Sequence, residues 1–159
     1  QSSAASDVYK RQKHTYPLKD KYVLTWIELE KTLFKICEIL KSKISYYDWV
    51  GFYFKNGNKK ELKLGPYAGI PTDHEIIPFG KGICGQVALN NKKFVVPDVK
   101  KQNNYIACSL NVKSEIVIPI FVDGENVGQI DIDSNIHDPF SKKDEEFLEY
   151  VCAKVATLL

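Results

Sequence analysis

Two cysteines of this 159-residue chain stand in settings that suit thiol chemistry better than core packing. Cys84 lies in Pro78-Phe79-Gly80-Lys81-Gly82-Ile83-Cys84-Gly85, and Cys108 closes Tyr105-Ile106-Ala107-Cys108. Glycine beside a thiol lets a backbone or a substrate approach closely. A second thiol in a neighbouring loop supplies a partner for disulfide exchange. Carboxylates are the next ingredient. Asp131 and Asp133 flank Ile132 on a predicted strand, so period-two geometry puts both acids on one face. Two acids that close raise each other's pKa, and one can keep its proton at neutral pH. Glu115 opens the preceding predicted strand and can bring a third carboxylate to the same end of the sheet. Three acids near two thiols suit a cationic small ligand whose reaction consumes protons. The competing reading of Asp131 and Asp133 is a strand end entering a solvated turn at Ser134-Asn135.

Trp49 and Tyr53 sit four apart on another predicted strand, hence on one face. Core packing is the default for such rings; a wall against an apolar or thioether group is the alternative. Cys37 and Cys152 fall inside two predicted long helices and read as small core hydrophobes. Gly80-x-Gly82-x-x-Gly85 has the form of a dinucleotide fingerprint, but a Pro-containing loop precedes it where a strand is required. No pair among His74, Cys84, Cys108 and His137 has the close spacing of a structural zinc site, so no metal is expected.

The elements that must position these groups follow from periodicity. Trp26, Ile27, Leu29, Leu33, Phe34, Ile36 and Leu40 predict a helix over about residues 20–42, with Glu28, Glu30 and Lys31 on its wetter faces. A strand over 49–54 and a second over 61–67 are joined at Asn56-Gly57-Asn58. Residues 68–80, broken by Gly69-Ile70-Pro71 and Pro78, read mostly as loop. A short helix runs from near Gly82 to Asn90-Asn91, and Phe94-Val95-Val96 is a strand stopped by Pro97. Strands over 115–122 and 127–133 meet at Asp123-Gly124, a hairpin signal. Ser141 with Asp144 caps a last helix whose apolar stripe is Phe147, Leu148, Val151, Val155 and Leu158. The order gives an α+β domain around one antiparallel sheet.

A net charge of +2, with dispersed lysines, gives no pull toward nucleic acid or membrane. No apolar run approaches the roughly 18–20 residues of a membrane helix. Four cysteines are too few to staple a small secreted scaffold, so a reducing cytoplasm is expected. Residues 1–12 are Ser/Ala-rich and hold the chain's one arginine, Arg11. They read as a non-native or disordered leader, leaving residues 13–159 as the domain.

Seven segments in order then resemble the free methionine-(R)-sulfoxide reductases, which are single GAF domains. They are Asp48-Trp49-Val50-Gly51-Phe52-Tyr53, Leu64-Gly65-Pro66, Ile77 to Gly85, Val96-Pro97-Asp98-Val99, Tyr105 to Cys108, Ser114-Glu115-Ile116-Val117-Ile118-Pro119 and Gly128 to Ser134. The resemblance implies a GAF fold, with the N- and C-terminal helices packed on one face of the sheet. It also implies reduction of free L-methionine-(R)-sulfoxide, with Cys108 as nucleophile and Cys84 as resolving thiol, through a Cys108 sulfenic acid and a Cys84–Cys108 disulfide. Glu115, Asp131 and Asp133 would grip the polar groups of the substrate, and Trp49 and Tyr53 its methylthio end. No bound cofactor is implied, only an external thioredoxin-like dithiol, and a homodimer is expected. Many members carry a third cysteine where this chain has His74, so a two-cysteine cycle is expected here. Two rival readings are a non-enzymatic GAF sensor of a small metabolite and a reductase of peptide-bound methionine sulfoxide.

Overall fold

Leu29, Leu33, Cys37 and Leu40 return to one side of a helix every three or four residues, and all four are buried. They belong to α1 (Trp26–Lys43), the first element of a computed structural model that describes residues 26–104 and 111–159. The expected start of this helix near residue 20 and the leader at 1–12 lie outside the described residues. Ile27 and Phe34, expected in the buried stripe, are exposed, while Glu30, expected on a wet face, is buried. The buried stripe is narrower than the apolar one because Leu29, Leu33 and Leu40 already meet the sheet.

The sheet contains β1 (Trp49–Lys55), β2 (Glu61–Ala68), β3 (Ile76–Pro78), β4 (Phe94–Val96), β5 (Ser114–Val122) and β6 (Glu125–Ser134). Its order is β3-β2-β1-β6-β5-β4, and every neighbouring pair is antiparallel. Asp123 and Gly124 both take positive φ, the primed-turn geometry that a two-residue hairpin requires. Residues 68–80 are mostly loop, as expected, but hold one short strand that the sequence did not signal. Ile76–Pro78 pairs with Lys63–Glu61 as an edge strand. Proline, which lacks an N–H, is tolerated at such an edge, and the length of this strand is too short to leave a periodic signal.

Period two divides the strands between two cores. Val50, Phe52, Phe54, Ile116, Ile118, Ile120, Ile130 and Ile132 face α1 and α3 (Lys142–Ala156). Leu148, Cys152 and Val155 of α3 complete that layer, whereas Phe147, expected in the stripe, is exposed. The capping box at Ser141 and Asp144 is present as expected. Both terminal helices therefore cover one face. On the other face, Tyr53, Leu62, Leu64 and Val117 pack against Ile83 and Val87 of α2 (Gly82–Asn90). Among the described residues, no helix is long and apolar enough to cross a membrane.

Candidate active site

The α2 face carries the groups that the sequence singled out. Three antiparallel rows cross it. Glu115 pairs with Asp133, which pairs with Trp49. Val117 pairs with Asp131, which pairs with Gly51. Pro119 pairs with Gln129, which pairs with Tyr53. Opposed positions on adjacent strands share a face and sit side by side, so three acids from two strands converge beside an aromatic pair. Gly51 explains the shape of this wall. A side chain there would collide with the Trp49 indole, which lies across the gap and stacks on Tyr67 with ring centroids 5.4 Å apart. The indole N–H donates to the Ile70 carbonyl at 3.1 Å. Tyr53 lies 6.3 Å from Trp49, centroid to centroid, and its hydroxyl donates to the His74 carbonyl at 3.1 Å.

Cys84 is brought in from above the sheet. Gly80 and Gly82 adopt positive φ, and Gly85 packs so closely on the Pro78 carbonyl that a Cβ would fall 2.5 Å from it. Those three glycines fold the chain back into the first turn of α2, where Cys84 is buried. Its thiol donates to Glu115 Oε1 at 3.9 Å. The sulfur of Cys84 and one oxygen each of Glu115 and Asp131 lie within 4.8 Å of one another.

Burial dominates the electrostatics. Asp131 and Asp133 are each 1% exposed, which rules out the solvated-turn reading. Glu115 is pushed well above the usual carboxylate range by burial, then by the charges of Asp131 and Asp133 and a hydrogen bond to Asp131. Asp131 rises to about 7 through burial, although hydrogen bonds from Cys84 and Glu115 pull it back. Asp133 is also raised, by burial and by the charges of Asp131 and Asp48. These directions describe a site that holds protons near neutral pH, as a general acid must. One oxygen each of Asp131 and Asp133 has no hydrogen-bond partner among the described residues.

The candidate residues divide between two cavities. A cleft of about 1060 Å³ is lined by Trp49, Tyr67, Ile70 and Asp133, with Phe34 of α1 and Val112 at its sides. A second cavity of about 10 Å³ is lined by His74, Lys81, Cys84, Glu115 and Asp131. Asp131 and Asp133, two residues apart on β6, thus face different spaces. Cys108 lies outside the described residues. Gln129 was missed by sequence reasoning: it is fully buried on the same face, and both amide atoms lack a partner among the described residues. Its period-two relation to Asp131 was the available signal. Cys37 and Cys152 are buried thiols on the opposite face, Cys152 with its pKa pushed up to about 12 by burial, which suits a packing role.

Residues 28–159 match the GAF domain family model. The chain is 41% identical over 110 residues to Protein YtsP of Bacillus subtilis, covering 69% of this chain and 67% of that protein. It is 32% identical over 128 residues to the free methionine-R-sulfoxide reductase of Escherichia coli, covering 80% of this chain and 76% of the other. A yeast protein of the same name, from Saccharomyces cerevisiae, is 43% identical over 104 residues, covering 64% of this chain and 57% of its own length. Among solved structures, a type II free methionine-R-sulfoxide reductase from Thermoplasma acidophilum superposes with a TM-score of 0.78 at 39% identity, covering 82% of this chain and 91% of that one. The enzyme of that name from Neisseria meningitidis, solved with its substrate, gives 0.77 at 34% identity, covering 81% of this chain and 76% of that one. With matched family residues from α1 to the C-terminus and relatives of one name on either side of a third identity, the chain belongs to the GAF domain family, in the group of the free methionine-R-sulfoxide reductases.

Proposed function

We propose that this GAF domain reduces free L-methionine-(R)-sulfoxide to methionine. The observation that carries the reading is the wall of buried Glu115, Asp131 and Asp133 beside the Cys84 thiol and the Trp49 ring. The acids offer the ammonium of a free amino acid its counter-charge, and their raised proton affinity supplies the acid that sulfoxide reduction consumes. The Trp49 ring, open to the large cleft, offers a methylthio group an apolar contact.

In the proposed cycle, the Cys108 thiolate attacks the sulfoxide sulfur. A protonated carboxyl of the wall gives its proton to the sulfoxide oxygen as that bond weakens. The protonated oxygen then transfers to the Cys108 sulfur as its bond to the methionine sulfur and the new sulfur–sulfur bond both break, so methionine leaves reduced by two electrons and Cys108 is oxidised to a sulfenic acid. The Cys84 thiol then condenses with it, forming the Cys84–Cys108 disulfide and releasing water. An external thioredoxin-like dithiol takes the disulfide back to two thiols and is itself oxidised. The cycle calls for no bound cofactor, and His74 in place of a third thiol leaves these two cysteines to carry it.

A thioredoxin-coupled assay with free (R)-sulfoxide, free (S)-sulfoxide and a sulfoxide-containing peptide tests the proposal. Turnover of the free (R) form alone is expected. Turnover of the peptide would move the reading to a peptide reductase, and turnover of none would leave a ligand-binding GAF module.

A further inference from the structure

We propose that Gln129 is a positioning residue of the acid wall, whose amide N–H donates to the Asp131 carboxylate once that acid has given up its proton. The inference deepens the proposed reductase reading and rests on it for its kinetic consequence alone. Gln129 is 0% exposed, and neither its Nε2 nor its Oε1 has a hydrogen-bond partner among the described residues. Buried amides of native proteins are nearly always paired, because an unpaired one keeps the full cost of leaving water. An amide held at that cost needs a partner in another state of the site.

The neighbours of Gln129 identify that partner. Across the sheet it stands between Pro119 of β5 and Tyr53 of β1. Proline offers no polar side-chain atom, and the Tyr53 hydroxyl reaches the His74 carbonyl. From α2 this face receives Ile83, Val87 and Ala88, all apolar and buried. Toward the start of β6 the register shifts, and Val127 packs into the opposite core. In the other direction the next residue of the face is Asp131, about 6.8 Å along the strand and within reach of a long side chain. Cys84 and Glu115 hydrogen-bond the Asp131 carboxyl, yet its buried Oδ1 has no partner among the described residues. An amide donor and a carboxyl oxygen, each unmatched, therefore share one stretch of one face.

Their pairing depends on charge. A protonated carboxyl is a weak acceptor, whereas the carboxylate left when the proton goes to the sulfoxide oxygen is a strong one. The titratable groups facing Asp131 are Glu115 of β5, Asp133 of β6, Cys84 of α2, and His74 and Lys81 beside the first turn of α2. Glu115 and Asp133 oppose the new charge, and Cys84 gives up its thiol in the following step. Lys81 is exposed, and its ammonium can stay in water. Gln129 is the neutral donor of the set. Its amide donates to the anion but has no proton to lend, so it steadies the carboxylate without competing for the chemistry.

Q129M keeps the unbranched shape of the side chain and removes both polar atoms, and Q129L repeats each measurement should Q129M fold poorly. In single-turnover release of methionine from free (R)-sulfoxide, the rate falls at high pH as the acid loses its proton. Q129M should move that limb upward by about one pH unit and lower the maximal rate about tenfold, the effect of one hydrogen bond to a charged group. Two further readouts need no turnover. The Asp131 carboxyl, followed by carbon-13 NMR in the free protein and assigned with D131N, should titrate about one unit higher in Q129M, with Asp144 unmoved. In the wild type the Gln129 amide protons should shift downfield with the Asp131 midpoint, as donors to a newly charged oxygen do. An Asp131 titration that does not rise in either variant, or Gln129 protons blind to it, would overturn the inference. Both NMR signatures in a protein that releases no methionine would overturn the reductase reading alone and leave the pairing standing.

Discussion

On the face covered by α1 and α3, Asp144 is a buried carboxylate with every need met; on the face covered by α2, Glu115, Asp131 and Asp133 are buried carboxylates crowded together. Asp144 accepts from the Ser141 backbone N–H at 2.8 Å and hydroxyl at 2.6 Å, and from the Tyr46 and Tyr47 hydroxyls at 2.7 and 2.9 Å. Burial would push its pKa up, but the Ser141, Tyr46 and Tyr47 hydrogen bonds outweigh it and hold the pKa below the usual value. Across the sheet burial wins, like charges add to it, and the acids are raised. One face uses a carboxylate to hold the fold. The other stores protons at a cost in stability, which is what a reactive site does.

The largest expected break in this contrast is in activity. E115Q and D131N should each lower kcat/KM for free (R)-sulfoxide by about 10²–10⁴-fold, the range for losing a positioned acid, while the melting temperature at pH 8 holds or rises. A variant that lost activity and cooperative unfolding together would place these acids with Asp144 as structural groups. The reverse is expected of D144A, with a loss of about 2–4 kcal/mol in denaturant unfolding through the helix cap and two stranded tyrosine hydroxyls. Its kcat per folded molecule should stay within about twofold, since the residue touches neither cavity.

The pH dependence should divide in the same way. Asp131 binds its proton more tightly folded than unfolded, so its contribution is present below the ordinary value of 3.8 and is lost as pH rises to about 7. D131N should flatten that decline, which has a slope of at most about 1.4 kcal/mol per pH unit. Asp144 has a lowered pKa, so its contribution is present above the ordinary carboxylate value and is lost as pH falls. Chemical unfolding of D131N and D144N between pH 3 and 8 would show the two slopes, and a shared sign would erase the contrast. Smallest of all, Y46F and Y47F should each cost about 1 kcal/mol, one hydrogen bond apiece to Asp144.

The site was legible where a periodic rule reached it. Period two alone placed Asp131 with Asp133 and Trp49 with Tyr53, and the hairpin at Asp123-Gly124 brought Glu115 opposite Asp133. What periodicity could not supply was depth. Asp131 and Asp133 read as fairly as a wet strand end because their burial depends on α2 lying over the sheet, a contact between segments far apart in sequence. Gln129 was overlooked because an amide carries no titration signal. The division of the wall between a large cleft and a small cavity came only from three dimensions. In the fold, β3 was missed because three residues ending in proline leave no pattern, and its pairing is dictated by β2. Phe34 and Phe147 were placed in the core because apolarity says nothing about which side of a half-covered helix a ring will take.

The central claim is that the thiol above this acid wall resolves an oxidised Cys108, and counting methionine released per chain tests it most directly. Reduced protein is given free (R)-sulfoxide without a recycling reductant, and methionine is quantified for C84S and C108S. The account predicts about one methionine per chain from C84S, with a sulfenic acid trapped on Cys108, and none from C108S. Near-normal methionine from C108S would contradict it.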